Sequence, residues 1–234
     1  MSRSAWQTAS RASVLWSVVT GARIARENER EKPRSPGPFP SPYDTPIDDI
    51  ALAGDIHAFW FGAAAPDPRW FAGDPAFDAA IRARYGAAIE AALAGGFEAW
   101  SATPRGALAR VLLLDQFTRN VFRGTPRAFA GDPLALGLAG DAVDAGFDRA
   151  LGPYERWFLY LPFEHSEDAS VQDRSLRLFG ALARETGRRD ALDWAEKHAA
   201  IVRRFGRYPH RNAILGRAST AEELAFLGEP GSGF

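Results

Sequence analysis

The chain has 234 residues, 46% hydrophobic and 12% aromatic, which is enough apolar matter for a substantial core and excludes a wholly disordered chain. A formal net charge of −1 offers no general attraction to nucleic acid or to an anionic membrane surface. The absence of cysteine excludes disulfides, thiolate catalysis and cysteine-ligated zinc or iron–sulfur centres, and no apolar run approaches the roughly 18 residues that span a bilayer.

Residues 1–34 carry seven basic and three acidic side chains, leaving the rest of the chain net −5. The first 26 contain Arg3, Arg11, Arg23 and Arg26 and no acid, with frequent Ser and Thr and a mostly apolar run over 12–19. This has the character of a transit or weak signal peptide, of a disordered leader, or of an over-long start in the gene. Six prolines among Ser, Gly and Asp over 33–46 then read as a linker or draped loop. Residues 1–46 are therefore expected to lie outside the fold, 47–228 to form a single domain, and 229–234 to be a flexible tail.

Ile50, Ala53, Ile56, Phe59 and Trp60 fall at helical spacing, and Gly62 stands where a helix stops, predicting a helix over 47–61. His57 among them reads as a packed, hydrogen-bonded side chain. Trp70-Phe71 reads as a core anchor after the Pro66/Pro68 loop. Asp74-Pro75 opens a helix, with Asp as cap and Pro in the first turn, and Phe77, Ala80, Ile81, Ala88, Ile89 and Leu93 form its apolar stripe. Thr103-Pro104 opens the next helix by the same logic. Asp132-Pro133 opens a third, ending near Gly146. Three cap-plus-proline starts, each followed by a 3.6-residue apolar period, predict an all-α protein, and no stretch alternates as a hairpin would.

The helix opened by Thr103 carries the most informative stretch. Residues 107–114 are apolar on every face except for Arg110, which predicts deep burial. Asp115, Gln116, Arg119, Asn120 and Arg123 then follow within nine positions. A carboxylate beside so buried a run must pair, take up a proton or bind something. Asp115 and Arg119, four apart, can meet on one helix face.

Two further polar clusters follow. Pro153 starts a helix that Pro162 is expected to break or kink, and directly after it come Phe163-Glu164-His165-Ser166-Glu167-Asp168. If a helix runs on from there, Glu164, Asp168 and Gln172 align at four-residue spacing beside His165. A solvated acidic first turn explains such a cluster as well as a site does. However, a carboxylate next to an imidazole also raises its pKa and orients it for proton transfer. Asp190 reads as the N-cap of a helix whose Trp194, His198, Ile201, Val202 and Phe205 share a face, so His198 points inward or toward a groove. The loop after it presents Arg207, His210, Arg211 and Asn212, types that can hold an anion through bidentate contacts. Ser219-Thr220-Ala221-Glu222 reads as a capping box for a last helix over 222–227.

These motifs, Leu114-Asp115-Gln116-Phe117 with Arg119-Asn120, Tyr160-Leu161-Pro162-Phe163-Glu164-His165-Ser166-Glu167, and Phe205-Gly206-Arg207-Tyr208-Pro209-His210-Arg211-Asn212, occur in the order found in an uncharacterised, mainly bacterial family. The chain resembles that domain of unknown function over about 50–228, with Phe59-Trp60-Phe61-Gly62 and Trp70-Phe71 similar to its opening motifs. The family is placed in the tetratricopeptide-like helical superfamily. The resemblance implies antiparallel helix pairs in a right-handed superhelix; it implies no activity. The chain lacks the usual 34-residue self-similarity, so the likeness is one of architecture, and peptide binding does not follow from it.

Four functional readings follow from the residues. The first is a small-molecule pocket, with Arg119, Arg123, Arg207 and Arg211 holding an anionic group, and Gln116, Asn120, Glu167 and Asn212 as further ligand-binding residues. His165 or His210 would be general acid or base, oriented by Glu164 or Asp115, for a hydrolase or transferase reaction. A metal site on Asp115, Glu164, His165, Glu167 and His210 is weaker, since no HExxH or HxxxH pair exists; no metal ligand is assigned and no cofactor can be named. The second reading is a protein-interaction module with a peptide in a concave groove. The third is structural: internal ion-pair networks clamping helix ends. The fourth, nucleic-acid binding through Arg203, Arg204, Arg207 and Arg211, is opposed by the net acidity of the body. No membrane partner and a cytoplasmic location are expected.

Overall fold

The computed structural model of the chain describes residues 49–62, 66–230 and 232. The leader and proline-rich segment read over 1–46 lie outside the described residues. Every regular element among the described residues is helical. Short 3-10 turns aside, they are in order α1 (Asp49–Phe61), α2 (Pro75–Leu93), α3 (Pro104–Val111), a π-helical segment (Leu112–Phe117), α4 (Thr118–Val121), α5 (Asp132–Asp144), α6 (Pro153–Glu164), α7 (Ala169–Thr186), α8 (Asp190–Phe205) and α9 (Ala221–Leu227). The π segment joins α3 to α4 without a break, so 104–121 is one rod with a widened middle.

Several helix starts follow from their caps. Asp74 accepts the N–H of Ala76 at 2.8 Å, and Thr103 accepts that of Gly106 at 3.2 Å. Asp168 caps α7 by accepting from Ser170 and Val171. The expected run-on helix through Glu164, Asp168 and Gln172 is therefore not formed: α6 stops at Glu164 and a new helix begins at Ala169. Pro162 does not break α6. It stands in the last turn, where one ladder bond is lost and little helix follows to be kinked. Asp132 is the first residue of α5 rather than its cap, because its carboxylate is drawn to Arg119. Asp190 likewise sits inside α8, after Arg189, where its charge still suits the helix dipole. The capping box of α9 is Thr220 with Glu223, one position later than expected.

The two segments buried on every face lie at the centre. Residues 106–118 are all buried, as the apolar run predicts, and so are 156–164 of α6. Aromatic side chains join them: Phe158 of α6 meets Trp60 of α1 edge-on at 5.3 Å and Trp70 at 4.7 Å, while Trp60 meets Phe117 of the π segment at 5.4 Å. One continuous core runs from Ile56 to Ala195, and a small satellite of Ile201, Val202 and Tyr208 with Phe205 and Phe226 holds the last helix. Because side chains from α1, α3 and α6 interdigitate around this core, the rod and α6 hold a fixed relation, and the polar ends of both emerge at the same place.

Close backbone approach fixes a third element there. A Cβ on Gly131 would stand 2.1 Å from Leu114 O and 2.9 Å from Leu114 Cα, and backbone atoms cannot swing aside. Only glycine lets the start of α5 lie against the π segment, and this places Asp132 over Arg119. Gly131→Ala is expected to lower the unfolding free energy by about 1–3 kcal/mol, as overpacking does, read as a fall in the urea midpoint.

Candidate functional site

The site is built from the polar end of the 104–121 rod outward. The π segment displaces the carbonyl ladder, and the displaced oxygens find side-chain donors: Thr118 donates its hydroxyl to Leu114 O at 2.7 Å, and Arg119 Nη1 donates to Asp115 O at 2.7 Å. The Asp115 side chain is fully buried. Burial alone would raise its carboxyl. Arg119 Nη1 at 3.0 Å, His165 and the Gln116 amide at 2.6 Å outweigh burial and hold it below the usual carboxylate range. Asp115 is thus an anion at neutral pH.

That charge fixes the state of His165. Its Nδ1 lies 2.7 Å from Asp115 Oδ1, and a carboxylate can only accept, so Nδ1 carries the proton. Among the described residues Nε2 makes no hydrogen bond, and it is left as the basic nitrogen. Burial and then the Arg119 charge lower the imidazole pKa against the opposing pull of Asp115, so His165 is neutral.

Glu164, on the last turn of α6, has the opposite character to Asp115. It is buried, and burial followed by the neighbouring Asp115 charge raises its carboxyl well above the ordinary range. His198 of α8 has Nδ1 at 2.9 Å from Trp194 O and 3.0 Å from Glu164 Oε1. A carbonyl can only accept, so this nitrogen carries a proton and donates it to Trp194 O. Among the described residues Glu164 Oε2 has no hydrogen-bond partner. Burial lowers the His198 pKa to about 3, so the pair is a neutral acid beside a neutral imidazole. The end of α6 is tied down by Gln172, whose amide donates to Glu164 O at 2.7 Å and Ser166 O at 2.6 Å, and by the Tyr208 hydroxyl, which donates to Glu164 O.

Arg119 donates to both oxygens of Asp132, at 2.9 and 3.0 Å, a bidentate pair that largely occupies that carboxylate. Arg211 therefore obtains only a 3.4 Å contact from Asp132. It is buried between Phe129 and Tyr208, and its Nε has no partner. Burial and then Arg119 lower its pKa, the expected result for a cation with less than a full counter-charge. Burial likewise lowers His210 to about 4.

A cavity of about 490 Å³ lies among these groups, within the size range of small-molecule sites. Of the residues singled out from sequence, Gln116, Arg119 and Asn120 line it from the rod and Arg123 from the turn after it. Glu164 and His165 line it from the end of α6, and His210 and Arg211 from the loop after α8. Asp115 stands behind His165, within hydrogen-bond reach of it. Asp78 of α2 orients Asn120 at 2.6 Å and Arg123 at 3.0 Å. Three of the singled-out residues lie elsewhere. Glu167 accepts from Arg217 and the Tyr208 N–H; Arg207 donates to Glu223 and Ala218 O; Asn212 bonds Ser219 and Arg217. These contacts brace the loop that presents His210 and Arg211. Sequence reasoning did not pick out Asp132, which resembled a cap, or the aromatic wall of Trp157, Phe129 and Trp194. Among the described residues no group of three or more His, Asp and Glu is arranged to hold a metal ion, and no helix is long and apolar enough to cross a membrane.

Comparison with known proteins places these features in a lineage. A family model described as a bacterial protein of unknown function (DUF924) matches residues 56–231, a span that includes all three polar segments. A solved structure of a protein of unknown function from Agrobacterium tumefaciens is 44% identical, covers 77% of this chain and 99% of its own, and superposes with a TM-score of 0.71. No curated protein matches. On the family match and this likeness, the chain belongs to the bacterial family of unknown function DUF924.

Proposed function

We propose that the cavity binds an anionic small molecule and that His165 acts on it as a general base in a hydrolysis or group-transfer reaction. The observation that carries this reading is the Asp115–His165 contact: a buried carboxylate fixes the tautomer of a neutral imidazole whose other nitrogen is left basic at a cavity. The protonated Glu164 would supply the acid, and Arg211, short of counter-charge, the anion contact. A purely structural network would satisfy its members, whereas among the described residues Glu164 Oε2 and Arg211 Nε are buried with no hydrogen-bond partner. A cavity of about 490 Å³ lined by the named acid, imidazole and guanidinium groups favours a small ligand over a peptide. The short connections between α6, α7 and α8 support the consecutive antiparallel pairs of a tetratricopeptide-like superhelix, which would serve as scaffold.

The test is a thermal-shift screen of small carboxylates and phosphate monoesters on wild type and Arg211→Gln. Stabilisation of wild type that the variant loses is the expected result. If no anion stabilises wild type, or every one stabilises both proteins equally, the reading fails. For any ester or phosphate monoester found to turn over, His165→Asn is expected to reduce the rate by about 10²- to 10⁴-fold.

A further inference from the structure

We infer that the ligand is an amphipathic carboxylate: a carboxyl group held at Arg211, joined to an aromatic or aliphatic body that lies along the aromatic wall toward Phe71 and Trp194. This deepens the proposed function and rests on the cavity binding an anion. Phe71 and Trp194 are 61% and 44% exposed, among the few large apolar side chains left in solvent among the described residues, and both line this one cavity. Apolar surface left exposed around a cavity marks where an apolar partner is received. The wall is preformed rather than floppy. Phe71 lies parallel to the core residue Phe158, with centroids 5.9 Å apart and planes at 8°, and 5.9 Å from Trp157. Trp194 is steadied by Lys197 Nζ, 4.2 Å over its ring.

The polar end presents one guanidinium without a close carboxylate. Arg119 is neutralised by two carboxylates, Asp115 and Asp132, while among the described residues Arg211 has a 3.4 Å share of Asp132 as its ion pair and an Nε with no hydrogen-bond partner. A planar carboxylate matches the guanidinium edge through two parallel hydrogen bonds. A dianion would bring more charge than Arg211 offers, next to Asp115 and Asp132. His165 and Glu164 stand at the same polar end, so the bond acted on would be near the carboxyl head, with the body serving for recognition.

The experiment is calorimetric titration of the full chain with the straight-chain carboxylates from acetate to octanoate, with phenylacetate, with octanamide and with inorganic phosphate. Affinity is expected to rise roughly fourfold per added methylene until the wall is covered. Octanamide is expected to bind at least tenfold more weakly than octanoate. Phe71→Ala, a change at an exposed ring, should flatten the dependence on chain length while keeping the preference for carboxylate over amide. Arg211→Gln should do the reverse. Equal affinity for acetate and octanoate, or binding of phosphate in preference to all carboxylates, overturns the amphipathic carboxylate and leaves the anion site standing. No binding of any of these anions, phosphate included, overturns both.

Discussion

Asp115→Ala is expected to lower the unfolding free energy by about 3–5 kcal/mol, the range found when one member of a buried ion pair is removed. Asp115 is 0% exposed and serves four groups: the Arg119 guanidinium, His165 Nδ1, the Gln116 amide and, through Arg119, Asp132. Truncation leaves His165 Nδ1–H and the Gln116 amide without their acceptor in the interior, and a cation with one carboxylate where it had two. Since a domain of this size is held by only about 5–15 kcal/mol, the alanine variant could approach the unfolding limit, and Asp115→Asn provides the second measurement. It keeps the volume and loses the charge. Asp115 is the principal group raising the His165 pKa against burial and Arg119, so its neutralisation is expected to move the His165 titration further down, followed by NMR of the imidazole ring. A His165 titration unchanged in Asp115→Asn would show that the contact does not set the state of the imidazole. Unfolding of Asp115→Ala at the wild-type urea midpoint would show that the network contributes nothing to stability.

The same side chain shows what could and could not be read from sequence. That Asp115 lies at the end of a buried rod was legible, because residues 107–114 leave no polar face and such a segment has nowhere to sit but the core. That the rod, the end of α6 and the loop after α8 meet was legible only as chemistry: acids, imidazoles and guanidiniums recur in three segments and have to be neutralised somewhere. The π segment was not legible. Nothing in Leu112–Phe117 distinguishes i→i+5 from i→i+4 bonding; the difference comes from the Thr118 and Arg119 side chains capturing displaced carbonyls. Asp132 was misread because Asp before Pro is a good cap, and only a long-range partner, Arg119, draws it away. Glu167, Arg207 and Asn212 carry the same residue types as the cavity wall but are saturated by Arg217, Glu223 and Ser219, partners that residue type does not predict.

Glu164→Gln is expected to change the shape of the stability–pH curve rather than its height alone. In the unfolded chain this carboxyl titrates near its ordinary value of 4.5; in the fold, burial and Asp115 keep it protonated well above that. Above pH 4.5 the folded protein thus holds one proton more at this position than the unfolded chain, and stability falls as pH rises, by up to about 1.4 kcal/mol per pH unit, until the folded carboxyl ionises. His198 and His210 act with the opposite sign. Their folded values of about 3 and 4 lie below the ordinary 6.5, so their contribution is present above pH 6.5 and is lost as pH falls toward those values. Wild type should accordingly be most stable near neutrality, with an acid limb set by the histidines and an alkaline limb set by Glu164. Glutamine matches the neutral acid in shape and does not ionise, so the packing survives while the titration is removed. Its alkaline limb should flatten, so that the stability difference grows in favour of the glutamine variant as pH rises above 4.5, measured by urea unfolding at each pH. Parallel curves for the two proteins would mean that Glu164 is ionised in the fold. It could then not stand as the acid beside His165.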